Sequence, residues 1–255
     1  PTSAILFTGI LNSIWQAAHG FDDFTDNQLD LSQKNINLAE MIMGCVAKGT
    51  LLPFYLLSLI DAPNKTKNQL YQTLSQGVMA LFAGQALDIS LRNSDKFPIP
   101  LMEKVVCMRQ LGVLRAKLIA VFADATPEIT AALIEFGKNL SLAKSLRRDF
   151  AESTIINTNT DILNGTRTLY LSIVANSIES KKHEQFIKYL QQPAENLTEL
   201  NSIFKQRKTV NAVSQKIDEY LDRAQIAAEK ALVNQPYVKF FNKMVIDPLR
   251  PLSFF

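Results

Sequence analysis

The sequence predicts an all-α protein, and three observations carry that prediction. Only 9 Gly and 10 Pro stand among 255 residues, too few turn formers for an all-β sandwich or barrel, which needs a turn about every ten residues. Apolar residues recur at helical spacing almost throughout. No stretch alternates apolar and polar residues long enough to make a convincing strand.

The elements follow in order. A first helix is expected over 3–25, apolar until it ends in an acidic cluster. A second is expected over 31–58, within which 39–60 is the longest apolar stretch, interrupted by Glu40, Lys48 and Pro53 and carrying Gly44 and Gly49. Those interruptions fit a buried, kinked helix better than a membrane span. Asp61-Ala-Pro-Asn64 turns the chain into 65–91, and Lys96-Phe-Pro98 turns it into 98–122. Thr126 is a helix cap followed by Pro127 at the first helical position, opening 127–154, and Asp161 is placed to cap 162–177. Shorter helices over 181–190 and 197–205 precede a long one over 209–232. The tail from 237 to 255 gathers Tyr237, Phe240, Phe241, Phe254 and Phe255, read as an apolar cover over helix ends, a lid on a cavity or a shallow membrane contact. There is no internal repeat, low-complexity tract or linker, so 1–255 reads as a single helical domain with helices long enough to surround a cavity.

Composition excludes other classes. With 47% hydrophobic and 20% charged residues the chain can bury a core and is not disordered. Its 27 basic and 24 acidic side chains leave a net charge of +3 with no basic run, which argues against a nucleic-acid partner. Cys45 and Cys107 stand far apart and form no CxxC pair, as expected of buried thiols in the cytoplasm. The apolar N-terminal stretch lacks the basic region and cleavage site of a signal peptide.

The strongest local signal is Phe21-Asp22-Asp23-Phe24-Thr25-Asp26. On a helix Asp22 and Asp26 share a face, with Asp23 one step round. Three carboxylates at a helix C-terminus repel each other and oppose the helix dipole unless a cation offsets both costs. Hard oxygen donors of this kind suit Mg²⁺, which keeps water and phosphate oxygens in its shell.

With its neighbours this motif resembles the class I isoprenoid synthase superfamily, in particular the polyprenyl synthetase family of trans-isoprenyl diphosphate synthases and its terpene-cyclase relatives. His19-Gly-Phe-Asp-Asp-Phe-Thr-Asp26 is similar to the first DDxxD motif, and Gly84-Gln-Ala-Leu-Asp88 to the GQxxD segment of a central helix. Leu140 to Glu152 falls where the family has LGxAFQxxDDxxD, and Asp161 to Leu169 where it has DLxxGKxTLP. The resemblance implies the helical bundle of that superfamily around a central hydrophobic cavity. It implies Mg²⁺ held by Asp22, Asp23 and Asp26, a prenyl diphosphate substrate and a homodimer. It also implies that the family's N-terminal helices are missing ahead of Asp22.

Departures shape the expected chemistry. Arg148 replaces the first carboxylate of the second motif, leaving Asp149 and Glu152; Lys144-Ser145 replaces Phe-Gln, Gln110-Leu111 replaces Lys-Thr, and Thr166 replaces the lysine of Gly-Lys. The arginine pair after the first motif is absent too. Another register places Asp149, Ser153 and Asn157 at the spacing of the cyclase metal triad, with Glu152 as the competing ligand. Arg147, Arg148 and Arg167 are candidates to hold diphosphate by bidentate hydrogen bonds in place of the degraded metal cluster, or form a solvated basic face. Phe82, Phe122 and Trp15 are candidate walls for an allylic cation, with Phe21 and Gln85 beside them. The small pair Ala17 and Ala18, five and four residues before the motif, implies an open pocket floor and a long prenyl tail.

The resemblance therefore implies an Mg²⁺-dependent enzyme that ionises an allylic prenyl diphosphate, for terpene synthesis by cyclisation or elimination, or for transfer to an acceptor. Lost basic residues tilt this away from ordinary chain elongation by a trans-prenyl synthase, which stays open as an alternative. A catalytically impaired prenyl-binding subunit of a heteromeric synthase is the other.

Overall fold

The computed structural model describes residues 2–25, 37–153, 160–232 and 235–250, and every element among them is helical. Helix α1 spans Thr2–Thr25. Next come α2 (Leu38–Val46), a π-helical turn (Ala47–Leu51) and α3 (Leu52–Ser58), which form one near-continuous rod. Then follow α4 (Asn64–Ser90), α5 (Ile99–Arg109), α6 (Gly112–Phe122) and α7 (Pro127–Ser153). A short α8 (Thr160–Leu163) precedes α9 (Leu169–Ser177), α10 (Ser180–Gln191), α11 (Leu197–Phe204), α12 (Arg207–Ala231) and α13 (Gln235–Phe241).

Two apolar cores organise these helices. In one, Phe7, Ile10 and Ile14 of α1 meet Leu57, Leu70, Leu74 and Leu118 from α3, α4 and α6. In the other, α5, α7, α9, α10, α11 and α12 pack through residues such as Met102, Leu146, Leu171, Phe186, Val213 and Ile217. Burial of Val213, Ile217, Tyr220, Leu221, Ala224 and Ala228 shows the periodicity that lets α12 lie along α7. Thr126 caps α7 through the Ile129 amide at 3.4 Å, as its sequence context predicts. Asn37 and Glu40 form a reciprocal capping box on α2, each bond 2.9 Å.

Three expectations are corrected. The span over 98–122 is two helices, because Gln110 is extended and starts a sharp turn. The turn brings α6 against α7 so closely that a Cβ on Gly112 would stand 2.3 Å from the Gly137 carbonyl oxygen. The span over 162–177 also breaks, at Gly165, whose φ of +74° is in the left-handed region. Thr168, not Asp161, caps the helix that follows, accepting from the Leu171 amide at 3.2 Å. The rod Leu38–Ser58 is not buried: only 22% of its apolar window is covered. Cys45, Gly49, Pro53 and Leu57 form its buried row and Phe54 stacks on Tyr71 of α4, while Met43, Leu51 and Tyr55 are exposed. By length and composition this rod could cross a membrane. The thiols are both free, Cys45 buried and Cys107 half-buried, and burial pushes the Cys107 thiol up to about 11.

Candidate functional site

Where the two cores meet, they leave a cleft of about 930 Å³, counted out to its open mouth. Trp15, His19, Phe21 and Asp22 reach it from α1, Phe82, Gln85 and Asp88 from α4, and Val105, Val106 and Arg109 from α5. Ser145, Arg148 and Asp149 come from α7, Asp161 from α8, and Thr166 and Arg167 from the turn before α9. Close packing of α4 on α5 places these side chains: a Cβ on Gly84 would stand 2.6 Å from the Met108 Cβ. Gln85 and Asp88 are thereby brought within reach of Arg109.

A hydrogen-bonded network forms on the α1 side. Arg109 Nη2 donates to Asp22 Oδ1 at 2.6 Å, and Nη1 lies 2.8 Å from Asp88 Oδ2. Gln85 Nε2 donates to the same Asp22 oxygen at 2.8 Å. Asp88 is only 3% exposed, and burial raises its pKa against the pull of Arg109. Arg109 joins carboxylates from two helices across a sequence separation of 87 positions.

A second acidic cluster sits on the α7 side. Carboxylate oxygens of Asp149, Glu152 and Asp161 lie within 4.8 Å of one another. Arg148 is already among them, its Nη2 3.2 Å from Asp149 and its Nε 3.9 Å from Glu152. Burial pushes the Asp149 carboxyl up to about 7, outweighing Arg148. Burial also raises Asp161, which feels Arg148, then Asp22 and Arg109, and so links the two clusters. As a donor set the three carboxylates fit a hard divalent cation, provided Arg148 turns aside.

The expected site residues divide as follows. Asp22, Ala18, Phe21, Phe82 and Gln85 line the cleft, with the Phe21 and Phe82 rings edge to face at 5.9 Å. Asp23 is half-buried beside Asp22; Asp26 and Asn157 lie outside the described residues. Ser153 is buried and donates to the Phe150 carbonyl at 2.7 Å. Ala17 is buried under the π turn, where a Cβ on Gly49 would touch it at 3.0 Å, and Phe122 packs edge-on to Phe7 at 5.1 Å instead of facing the cleft. Arg147 donates to the Pro248 carbonyl, away from the cleft. Arg167, 1% exposed, reaches the cleft wall but donates to the carbonyls of Ser94, Gly165 and Leu190. Arg109, Asp88 and Asp161 were not among the expected site residues. Asp88 ends the GQxxD segment and Arg109 directly precedes Gln110, so sequence position alone marked both.

No sequence-family model matches the chain, and no curated protein matches it in sequence. Solved structures do. It superposes on geranylgeranyl pyrophosphate synthetase from Pyrococcus horikoshii with a TM-score of 0.76 at 14% identity, over 96% of this chain and 79% of that one. The chain has the isoprenoid synthase fold. Decaprenyl diphosphate synthase from Rhodobacter capsulatus matches at 0.77 and 14% identity, over 97% of this chain and 80% of that one. Geranylgeranyl pyrophosphate synthase from Corynebacterium glutamicum, solved with isoprenyl diphosphate and magnesium, matches at 0.74 and 14% identity, over 98% and 80%. On the isoprenoid synthase fold the cleft of this chain is the space between α1, α4, α5 and α7.

Proposed function

We propose that the protein is an Mg²⁺-dependent prenyl-transferring enzyme that binds an allylic prenyl diphosphate in this cleft. The observation that carries the reading is the facing of two carboxylate clusters, each with its own guanidinium, above an aromatic lining. Asp22 on one wall with Asp23 beside it in the chain, and Asp149 and Asp161 on the other with Glu152 next to them, would hold Mg²⁺, which when bound neutralises the diphosphate leaving group. Arg148 and Arg109 are oriented by carboxylates so that their remaining N–H groups can donate to a phosphate oxygen. Phe21, Phe82 and Trp15 exclude water from the prenyl chain and present ring faces to positive charge. The solved neighbours named above are diphosphate synthases, so support falls on transfer rather than on cyclisation, and chain elongation becomes the preferred form.

Arg148 within the second cluster favours a second reading, a binding subunit with weakened chemistry. Incubation with Mg²⁺ and geranyl, farnesyl or geranylgeranyl diphosphate, with and without isopentenyl diphosphate, separates these. Elongated product formed only when isopentenyl diphosphate is added is the expected result. Pyrophosphate release without it would shift the reading to a cyclase, and no turnover of any substrate would leave the binding subunit.

The exposed face of Leu38–Ser58 supports the homodimer. Met43, Leu51 and Tyr55 are 71%, 68% and 62% exposed, and the rod carries only Glu40 and Lys48 as charges. A second copy covering this face would remove its apolar surface from water. Met43→Lys together with Tyr55→Lys is expected to halve the mass seen by sedimentation velocity. Binding of the wild type to phospholipid vesicles, lost in that variant, would assign the face to a membrane instead.

A further inference from the structure

Arg109 gives Asp22 a cationic partner from the protein itself. Two N–H donors converge on Asp22 Oδ1, Arg109 Nη2 at 2.6 Å and Gln85 Nε2 at 2.8 Å, while Arg109 Nη1 is held at 2.8 Å by the buried Asp88. Arg148 occupies the opposite cluster in the same manner.

We infer that Arg109 is a built-in counter-ion of Asp22, which disfavours capture of a bare divalent cation there and releases the carboxylate only when a diphosphate offers the guanidinium a new anion. This rests on the proposed diphosphate site and deepens it. A bare cation at Asp22 either displaces this charge-assisted bond, leaving the guanidinium on Asp88 alone, or stands beside the like charge of Arg109. A cation arriving with diphosphate lets Asp22 pass to the metal while Arg109 turns to phosphate oxygens, which its planar fork suits. Metal and diphosphate then bind cooperatively, and the coupling is reciprocal. Arg109 has two roles here: it governs when the carboxylate is available, and it contacts the diphosphate that takes the carboxylate's place.

The test uses the full chain and two probes. Free Mn²⁺ is titrated by its electron paramagnetic resonance signal, and labelled pyrophosphate is titrated by equilibrium dialysis at saturating Mn²⁺. Arg109→Gln is expected to bind bare Mn²⁺ about tenfold more tightly than wild type and pyrophosphate with Mn²⁺ about tenfold more weakly. The opposite signs exclude general damage, which would weaken both. Arg109→Lys keeps the charge but loses the planar fork that spans Asp22 and Asp88, so it shifts both affinities in the same directions by less, and it serves should the Gln variant not fold. Bare Mn²⁺ binding no tighter in either variant, with prenyl-diphosphate turnover intact in wild type, overturns the counter-ion role and leaves the proposed function standing. No Mn²⁺ binding by any form, with or without pyrophosphate, overturns both.

Discussion

Asp22→Asn combined with Asp23→Asn is expected to lower prenyl-diphosphate turnover by about a thousandfold or more, the scale on which a leaving group loses a preorganised charge partner. Asn keeps the shape of each side chain and one oxygen, so the fold should remain. The Arg109–Asp22 contact lies between side chains 24% and 30% exposed, and a pair this accessible contributes little to stability. Thermal melting should therefore shift by only a few degrees, about 2 to 4 °C for each kcal/mol in a chain of this size. The loss should appear in kcat/KM at saturating Mg²⁺ and should not be recovered by more prenyl diphosphate. Activity within about tenfold of wild type, too small a loss for removed leaving-group stabilisation, would place the diphosphate elsewhere and leave the acidic end of α1 without the role proposed for it.

Much of this site was legible because its pieces lie close together in the sequence. Asp22 and Asp23 share one helical turn, and α4 carries Gln85 and Asp88 one turn apart, so local periodicity was enough to place each set on a face. The helices themselves followed from spacing and from capping residues such as Thr126. What could not be read were pairings made over distance. Nothing near Gln110 says that the chain must bend there; the bend exists because Gly112 and Gly137, from different helices, need to touch. Nothing near Arg109 says that it will meet Asp22. Burial was misjudged for the same reason. The rod Leu38–Ser58 is apolar enough for a core, yet α1 and α4 cover only part of it and Met43, Leu51 and Tyr55 stay exposed. Hydropathy reports what a surface would gain from cover, and tertiary packing decides whether it receives any.

Arginines were the least legible class, since a guanidinium serves diphosphate, carboxylate or carbonyl with equal chemistry, and Arg167 separates those roles experimentally. Its Nε donates to the Ser94 carbonyl at 2.8 Å, Nη1 to Gly165 at 3.2 Å and Nη2 to Leu190 at 3.5 Å, and its guanidinium lies 5.4 Å from the centre of the Phe97 ring. One side chain thus ties the turn after α4, the turn before α9 and the end of α10. Burial lowers its pKa, the mark of a charge held at some desolvation cost. Arg167→Met removes that cost and fills the space, but takes the guanidinium donor from the Ser94 and Leu190 carbonyls, at about 1 kcal/mol or more each, while the Gly165 carbonyl keeps the Asn93 amide at 2.9 Å. The carbonyls prevail, so a net loss of about 2 to 3 kcal/mol is expected, read as a fall in melting temperature of about 4 to 12 °C. Pyrophosphate affinity in the folded variant should stay within about threefold of wild type, because a guanidinium already bonded to three carbonyls has little left to offer an anion. Unchanged melting with a large loss of pyrophosphate binding would reverse the assignment and return Arg167 to the diphosphate role that its place in the sequence suggested.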